Sequence, residues 1–198
     1  MATLSVALIV KNEELNLAEC LETVKWADEI VVLDAGSTDN TIEIARQYTD
    51  NVYINADWQG YGIQRQRLQE FCSCDWILML DADERLTPEL TTEIQKVLAE
   101  DKKNNVYALP RLSWCFGDFI RHSGWYPDYV TRLYVKNKAH YTSQLVHEKL
   151  EYSASMHMVK LKGDLLHYTY RNLEHYLVKS ASYASAWAEQ KENKGKSS

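Results

Sequence analysis

The sequence predicts an α/β fold with a mostly parallel central sheet flanked by helices, and three observations carry that expectation. Short apolar runs alternate with longer amphipathic segments through the first hundred residues, the order that builds parallel sheets with crossover helices. The runs Leu4–Val10, Ile30–Leu33 and 76–80 are nearly continuous, as strands covered on both faces are. Polar clusters follow all three: Asn12-Glu13-Glu14, Asp34-Ala-Gly-Ser-Thr-Asp39 and Asp81-Ala-Asp83-Glu84. Open α/β sheets bind ligands just beyond the carboxyl ends of their strands.

Leu4–Val10 reads as the first strand. Leu15, Ala18, Leu21 and Val24 recur at helical spacing and predict a helix over 14–25. Ile30–Leu33 is the second strand, and Ser37 and Thr38 are placed to cap a helix carrying Ile42 and Ala45. Val52–Ile54 reads as a short strand, 62–71 as a helix and 76–80 as a fourth strand. Thr87-Pro88 is an N-cap followed by proline at the first helical position, opening a helix through Leu98. After residue 104 the pattern becomes antiparallel in character. Val106–Leu109, Val130–Val135, Ala139–Thr142 and Gln144–Leu150 are strand-like, with Lys136-Asn137-Lys138 a hairpin turn. Between them, 113–129 is rich in Trp, Phe, Tyr and Gly without clear period. An Ala- and Ser-rich stretch from Asn172 to Glu192 predicts a closing helix, and 193–198 reads as a disordered tail.

The whole chain is expected to be one domain of 198 residues. Within it, 1–104 form a nucleotide-binding half, 105–170 an aromatic-rich antiparallel half and 171–192 the final helix. Formal charge is −6 with no long basic run, which argues against a nucleic-acid partner. No stretch approaches the roughly 20 apolar residues of a membrane span, and Met-Ala-Thr-Leu-Ser lacks a basic signal-peptide start. A cytoplasmic protein is expected. Cys20, Cys72, Cys74 and Cys115 are too scattered for a disulfide framework and read as reduced thiols.

Residues 76–84, Trp-Ile-Leu-Met-Leu-Asp-Ala-Asp-Glu, carry the most chemistry. A buried strand delivers Asp81 and Asp83 at its end, and side chains two apart on a strand leave the same face. Paired carboxylates suit a hard cation, Mg²⁺ or Mn²⁺, shared with substrate phosphates. Asp34 is placed to accept from a base or ribose, and Gly36 lets a ligand approach the backbone. Glycine-rich phosphate loops are absent, so side chains such as Arg65 or Arg67 must help the cation neutralise phosphate.

These motifs resemble a known family. Ser5-Val-Ala-Leu-Ile-Val-Lys-Asn12-Glu13-Glu14, Val-Val-Leu-Asp34-Ala-Gly-Ser-Thr-Asp39 and Asp81-Ala-Asp83 are together similar to family 2 glycosyltransferases of the GT-A, Rossmann-like type. The resemblance covers residues 1–150. Gly124-Trp-Tyr-Pro-Asp128, Arg132-Leu-Tyr and Val146-His147-Glu148 resemble the lipopolysaccharide-core β-1,4-glucosyltransferase branch. That branch moves glucose from UDP-glucose to an inner-core heptose. The resemblance implies that Val10, Asn12, Glu13 and Asp34 hold the uridine, with Arg65 near the base or diphosphate. It implies Asp83 as the main metal ligand and Asp81 on the ribose or the ion. Ala35 stands where many relatives have a second aspartate that reads uracil.

An inverting transferase needs one general base for the acceptor hydroxyl, and it must come from outside the metal cluster. Asp128 and Glu148 are the candidates, with Asp128 preferred. Trp114, Trp125 and Tyr126 are placed to wall an acceptor sugar, and His147 or His167 to complete the ion's coordination. The expected partners are a nucleotide-sugar donor and a glycan or glycolipid acceptor. The segment 171–196, with Arg171, Lys179, Lys191, Lys194 and Lys196 beside Tyr176, Leu177 and Trp187, offers a modest interfacial helix for the inner membrane's cytoplasmic face. The competing readings are a non-catalytic carbohydrate-binding protein built on the aromatic stretch and a nucleotidyltransferase of similar architecture. The latter calls for a basic glycine-rich first loop, where this chain is acidic.

Overall fold

The computed structural model describes residues 2–143 and 148–170, together with 172–174, 176–178, 180, 181, 184, 185 and 188. The first strand, β1 (Leu4–Val10), pairs in parallel with β2 (Glu29–Asp34) on one side and β4 (Trp76–Asp81) on the other. β3 (Val52–Ile54) extends this parallel half beyond β2. Past β4 the sheet turns mixed: β8 (Asp128–Val135) runs antiparallel to β4 and to β6 (Asn105–Cys115). β12 (Leu165–Tyr170) lies parallel to β6, and β5 (Glu84–Leu86) closes the far edge. The order is β3-β2-β1-β4-β8-β6-β12-β5, a mostly parallel α/β sheet with an antiparallel second half.

Period-two alternation sorts the core. Leu4, Val6, Leu8 and Val10 face the layer holding α1 (Leu17–Val24) and α4 (Pro88–Glu100), while Ala7 faces α3 (Tyr61–Phe71). Each fully buried Leu or Ile in these layers contributes roughly 1.5–3 kcal/mol. α4 starts as expected: Thr87 Oγ1 accepts from Leu90 N at 3.3 Å with Pro88 next in line. It ends on Asp101 in the left-handed region at φ 45°, whose carboxylate takes the indole N–H of buried Trp76 at 2.9 Å.

Several expectations need correcting. Ser37 and Thr38 do not cap α2 (Thr41–Ala45); they bond to Asp34 and Asn12 instead. Lys136–Lys138 is a 3₁₀ turn, and the strand after it, β9 (Ala139–Tyr141), pairs with β10 (Leu150–Tyr152) and not with β8. The stretch 113–129 is no single loop. β6 runs on through Cys115, folds back in β7 (Asp118–Phe119), and β8 begins at Asp128. β11 (His157–Lys160) pairs in parallel with the first half of β6 and β12 with its second half, so β5, β7, β11 and β12 are additions to the expected strands. The expected strand over Gln144–Leu150 falls partly on 144–147, outside the described residues. Arg171, Lys179, Trp187 and 189–198 lie outside them as well. The described positions of 173–188 are helical, with Leu173, Leu177 and Val178 exposed. Among the described residues no helix is long and apolar enough to cross a membrane.

Candidate functional site

A cleft of about 1060 Å³ opens over the carboxyl end of β4, lined by Glu13, Tyr61, Arg65, Asp81 and Asp83 and, from the second half, by Arg111, Trp125, Asp128, Arg132, Glu148 and His167. The loops after β1 and β2, the first of which brings Glu13 to the cleft, are cross-linked to each other. Asn12, at φ 55°, donates its N–H to Ser37 Oγ at 2.9 Å and accepts from Thr38 N at 2.8 Å. Glu13 N donates to Thr41 Oγ1 at 2.8 Å. Asp39 serves twice, accepting from Thr41 N and from Glu14 N. Gly36, at φ 91°, sits where an added Cβ would lie 3.3 Å from Ala56 Cβ, so the loop needs a residue without a side chain.

The floor is a ladder of alternating charge. Arg65 spans Glu148 and Asp81, its Nε 2.9 Å from Glu148 Oε1 and its Nη2 2.7 Å from Asp81 Oδ1. Arg132 donates to Asp81 Oδ2 and, at 2.9 Å, to Glu84 Oε1. Arg111 approaches the same Glu84 oxygen at 3.8 Å and holds Asp128 Oδ2 through Nε at 3.0 Å and Nη2 at 2.6 Å. Glu84 is fully buried and also takes the Asp81 N–H at 3.0 Å. Burial alone would lift the Asp81 carboxyl, but the Arg132 and Arg65 guanidiniums hold it well below the usual carboxylate range. Burial likewise opposes charge on Arg132, and Asp81 and Glu84 outweigh it to keep that guanidinium firmly protonated.

Asp83 stands outside the ladder. The antiparallel pairing of β5 with β12 sets His167 opposite Glu84 and lets Tyr168 N donate to Asp83 O at 2.8 Å. His167 Nε2 therefore lies 3.5 Å from Asp83 Oδ2, and its Nδ1 lies 3.3 Å from Ser113 Oγ. No set of three His, Cys, Asp or Glu side chains converges as a metal cage among the described residues. One carboxylate and one imidazole still fit a divalent cation that keeps its other positions for phosphate oxygens and water. A metal held on Nε2 would leave the ring proton on Nδ1, which faces Ser113 Oγ at 3.3 Å.

Residues 5–162 match the family model described as Glycosyl transferase family 2. The chain belongs to glycosyl transferase family 2. The lipopolysaccharide core biosynthesis glycosyltransferase LpsC of Rhizobium meliloti is 30% identical, over 98% of this chain and 73% of the relative. An uncharacterized glycosyltransferase of Rickettsia typhi, RT0209, is 29% identical over 99% of this chain and 70% of its own length. Among solved structures, residues 1–349 of S. aureus TarS in complex with UDP-GlcNAc superpose with a TM-score of 0.62 at 17% identity, covering 86% of this chain and 59% of that one. The chain covers 36% of a longer TarS structure. These likenesses agree with the GT-A fold expected from the sequence.

In this family 2 glycosyltransferase the expected site residues separate into three groups. Glu13, Arg65, Asp81, Asp83, Asp128, Glu148 and Trp125 meet at the cleft. Asp34 does not offer its carboxylate: it is fully buried, accepting from Gly36 N and Ser37 N at 2.8 Å and from the Ser37 hydroxyl. It shapes the loop. Val10 is buried too, its carbonyl taking Ala35 N at 2.9 Å, and the Asn12 side chain is engaged with Thr38. Asp81, expected on the ribose or the ion, lines the cleft with its side chain 34% exposed, and a guanidinium meets each of its oxygens, Arg65 at Oδ1 and Arg132 at Oδ2. Tyr126 and Trp114 are not among the cleft's lining residues. Tyr126 donates its hydroxyl to Asp164 at 2.7 Å, and Trp114 packs on Phe119 and Tyr168. Arg67, expected near phosphate, turns away to Asp57 at 2.8 Å. His147 lies outside the described residues, and His167 takes the place beside Asp83. Sequence reasoning passed over Arg111 and Arg85. For Arg111 the usable signal was a charge inside an otherwise apolar strand, Leu109-Pro-Arg111-Leu112, whereas Arg85, between Glu84 and Leu86, has no such apolar setting.

Proposed function

We propose that the chain is a metal-dependent, inverting glycosyltransferase that moves a hexose, glucose from UDP-glucose in the first instance, onto a glycan acceptor such as an inner-core heptose of lipopolysaccharide. The observation that carries this reading is the pairing of Asp83 with His167 at 3.5 Å on the floor of a cleft that Asp128 also lines. The name of the LpsC relative supports the acceptor class, and the fold shared with TarS, whose structures include complexes with UDP and UDP-GlcNAc, is compatible with the donor class.

Asp83 and His167 would hold Mn²⁺ or Mg²⁺, which as a Lewis acid would supply charge stabilisation for a departing diphosphate. The protein's own part is proton transfer and positioning. Arg111 places both of its hydrogen bonds on Asp128 Oδ2, and Oδ1 has no partner among the described residues. Asp128 Oδ1 is therefore the atom to accept the acceptor hydroxyl's proton. As it does so, the acceptor oxygen bonds to the anomeric carbon from the face opposite the phosphate, and the bond to the phosphate oxygen breaks. Glu148, by contrast, is mostly covered and tied to Arg65, which suits it to holding the cleft floor. Trp125, on the cleft wall, offers an apolar face to a sugar ring.

The test is calorimetry of UDP with and without Mn²⁺, joined to a turnover screen over UDP- and GDP-sugars. Wild-type protein should bind UDP more tightly with Mn²⁺, and Asp83→Ala should remove that increment and transfer together while the circular dichroism spectrum is unchanged. Normal turnover by Asp83→Ala would rule the mechanism out.

A further inference from the structure

The turn Asp81–Glu84 has to hold one carboxylate still, and its backbone shows how. Four successive carbonyls are all hydrogen-bonded: Asp81 O takes the Cys20 thiol at 3.6 Å, Ala82 O takes Arg85 Nη1 at 2.8 Å, Asp83 O takes Tyr168 N at 2.8 Å, and Glu84 O takes Arg85 Nη1 at 2.9 Å. One guanidinium thus binds the carbonyl on each side of Asp83. Its other nitrogen, Nη2, crosses to a different element and donates to Asn16 O at 2.8 Å. Asn16 in turn donates its side-chain amide to Glu13 Oε2 at 2.8 Å. A single side chain connects the turn that carries Asp83 to the loop that lines the nucleotide side of the cleft.

A close ion pair does not account for this residue. Arg85 is buried at 6% exposure, its carboxylate contact is Glu19 at 3.5 Å with a side chain 78% exposed, and its Nε has no partner. A buried cation resting on neutral carbonyls and on the face of Tyr168, 5.4 Å from its ring centroid, repays less of its desolvation than one paired with a close carboxylate. A planar fork with fixed donor directions holds the Ala82, Glu84 and Asn16 carbonyls at set angles, which an apolar residue cannot do and a flexible lysine does less well.

We propose that Arg85 is a positioning residue that clamps the Asp83 turn to the Glu13–Asn16 loop, so that the cation-binding and nucleotide-binding ends of the donor site keep a fixed separation. The inference rests on the reading of Asp83 as a ligand for the cation and extends it to a residue that touches neither cation nor substrate. Outer-shell residues of this kind typically control about 10-fold to 100-fold in metal affinity.

The experiment measures UDP affinity by calorimetry in Mn²⁺ and in EDTA, with thermal melting alongside, for wild-type protein, Arg85→Met and Arg85→Lys. Arg85→Met is expected to weaken UDP binding in Mn²⁺ by about tenfold or more while affinity in EDTA changes less than about twofold. Arg85→Lys, which reaches fewer carbonyls, should fall between the two. Retention of the Mn²⁺-linked increment by a folded Arg85→Met protein overturns the proposal. Equal losses in both arms also overturn it, since they mark a residue that only supports the fold. If Arg85→Met does not fold, Arg85→Lys decides alone: an unchanged Mn²⁺ increment overturns the clamp, and a selective loss upholds it. A wild-type protein without any Mn²⁺-linked UDP affinity removes the donor-site reading itself, a result distinct from failure of the Arg85 variants alone.

Discussion

Asp128 and Glu148 are both carboxylates at the cleft, yet their surroundings give them different work. Asp128 keeps 42% of its side chain exposed and is gripped by Arg111 on one oxygen alone; Glu148 is 14% exposed and bound to a buried arginine. A general base must reach a proton on substrate, and the more exposed Asp128 is better placed for that than the mostly covered Glu148, whose Oε1 is held by Arg65. Asp128→Asn is expected to lower turnover by about 10²- to 10⁴-fold with little change in the Michaelis constant for the nucleotide sugar. Glu148→Gln should cost less than about tenfold, since the amide oxygen can still accept from Arg65. Steady-state UDP release compares the two, and a larger loss for Glu148→Gln would exchange their roles. At this scale the arrival of Asp83 and Asp128 at the cleft was legible from motif and neighbours. The distinction between Asp81 and Asp83 was not: it depends on Arg65 and Arg132, which lie 16 and 51 residues from Asp81 in the chain.

Among the elements, the segment 161–164 shows how the aromatic half is secured. Gly163 fits against the first turn of α4 so closely that an added Cβ would stand 2.3 Å from Leu90 N and 2.5 Å from Leu90 Cα. Gly163 N and Lys162 N both donate to Glu93 Oε2, and Asp164 O accepts from the Thr87 hydroxyl. The Asp164 carboxylate then takes the Tyr126 hydroxyl and Arg121 Nη2 at 3.2 Å, anchoring the segment that carries Trp125. Gly163→Ala must push two backbones apart, an overpacking cost of about 1–3 kcal/mol. Its melting temperature should fall by several degrees, with Trp125 fluorescence becoming more accessible to acrylamide; an unchanged melting curve would refute the close packing. The parallel half was readable because each of its strands is a continuous apolar run followed by a polar cluster. β5 and β12 were not. β5 is three residues, Glu-Arg-Leu, with two charges that are buried only because Arg132 and neighbouring carbonyls meet them. Pro110 sits in mid-strand and disguises β6, whose extent appears in the pairing of Pro110 with Tyr129 and Arg111 with Asp128 and, beyond them, in pairing with β12 as far as Cys115.

For the molecule as a whole, the ladder Glu148, Arg65, Asp81, Arg132, Glu84, Arg111 and Asp128 joins the two halves of the chain through charges that neither half can satisfy alone. β4 and β5 bring Asp81 and Glu84, β8 and β6 bring Arg132 and Arg111, and α3 brings Arg65. Replacing Arg132, which is 6% exposed, with leucine leaves two carboxylates on the cleft floor short of their shared partner, a change that costs about 3–5 kcal/mol when a buried pair is broken. The same residue sets the acid limit. Asp81 has its folded pKa lowered, so its contribution is fully present above its unfolded value of about 3.9 and fades as pH drops below that toward the folded value. Arg132→Leu removes one of the two guanidiniums that hold the Asp81 carboxyl down, so its folded pKa rises toward the ordinary range and the protection is lost at higher pH. Acid unfolding followed by far-ultraviolet circular dichroism and by tryptophan fluorescence should show one shared transition for the wild type, displaced to higher pH in Arg132→Leu. Coincident midpoints for the two proteins would mean that the hydrophobic layers, and not the ladder, keep the halves together in acid.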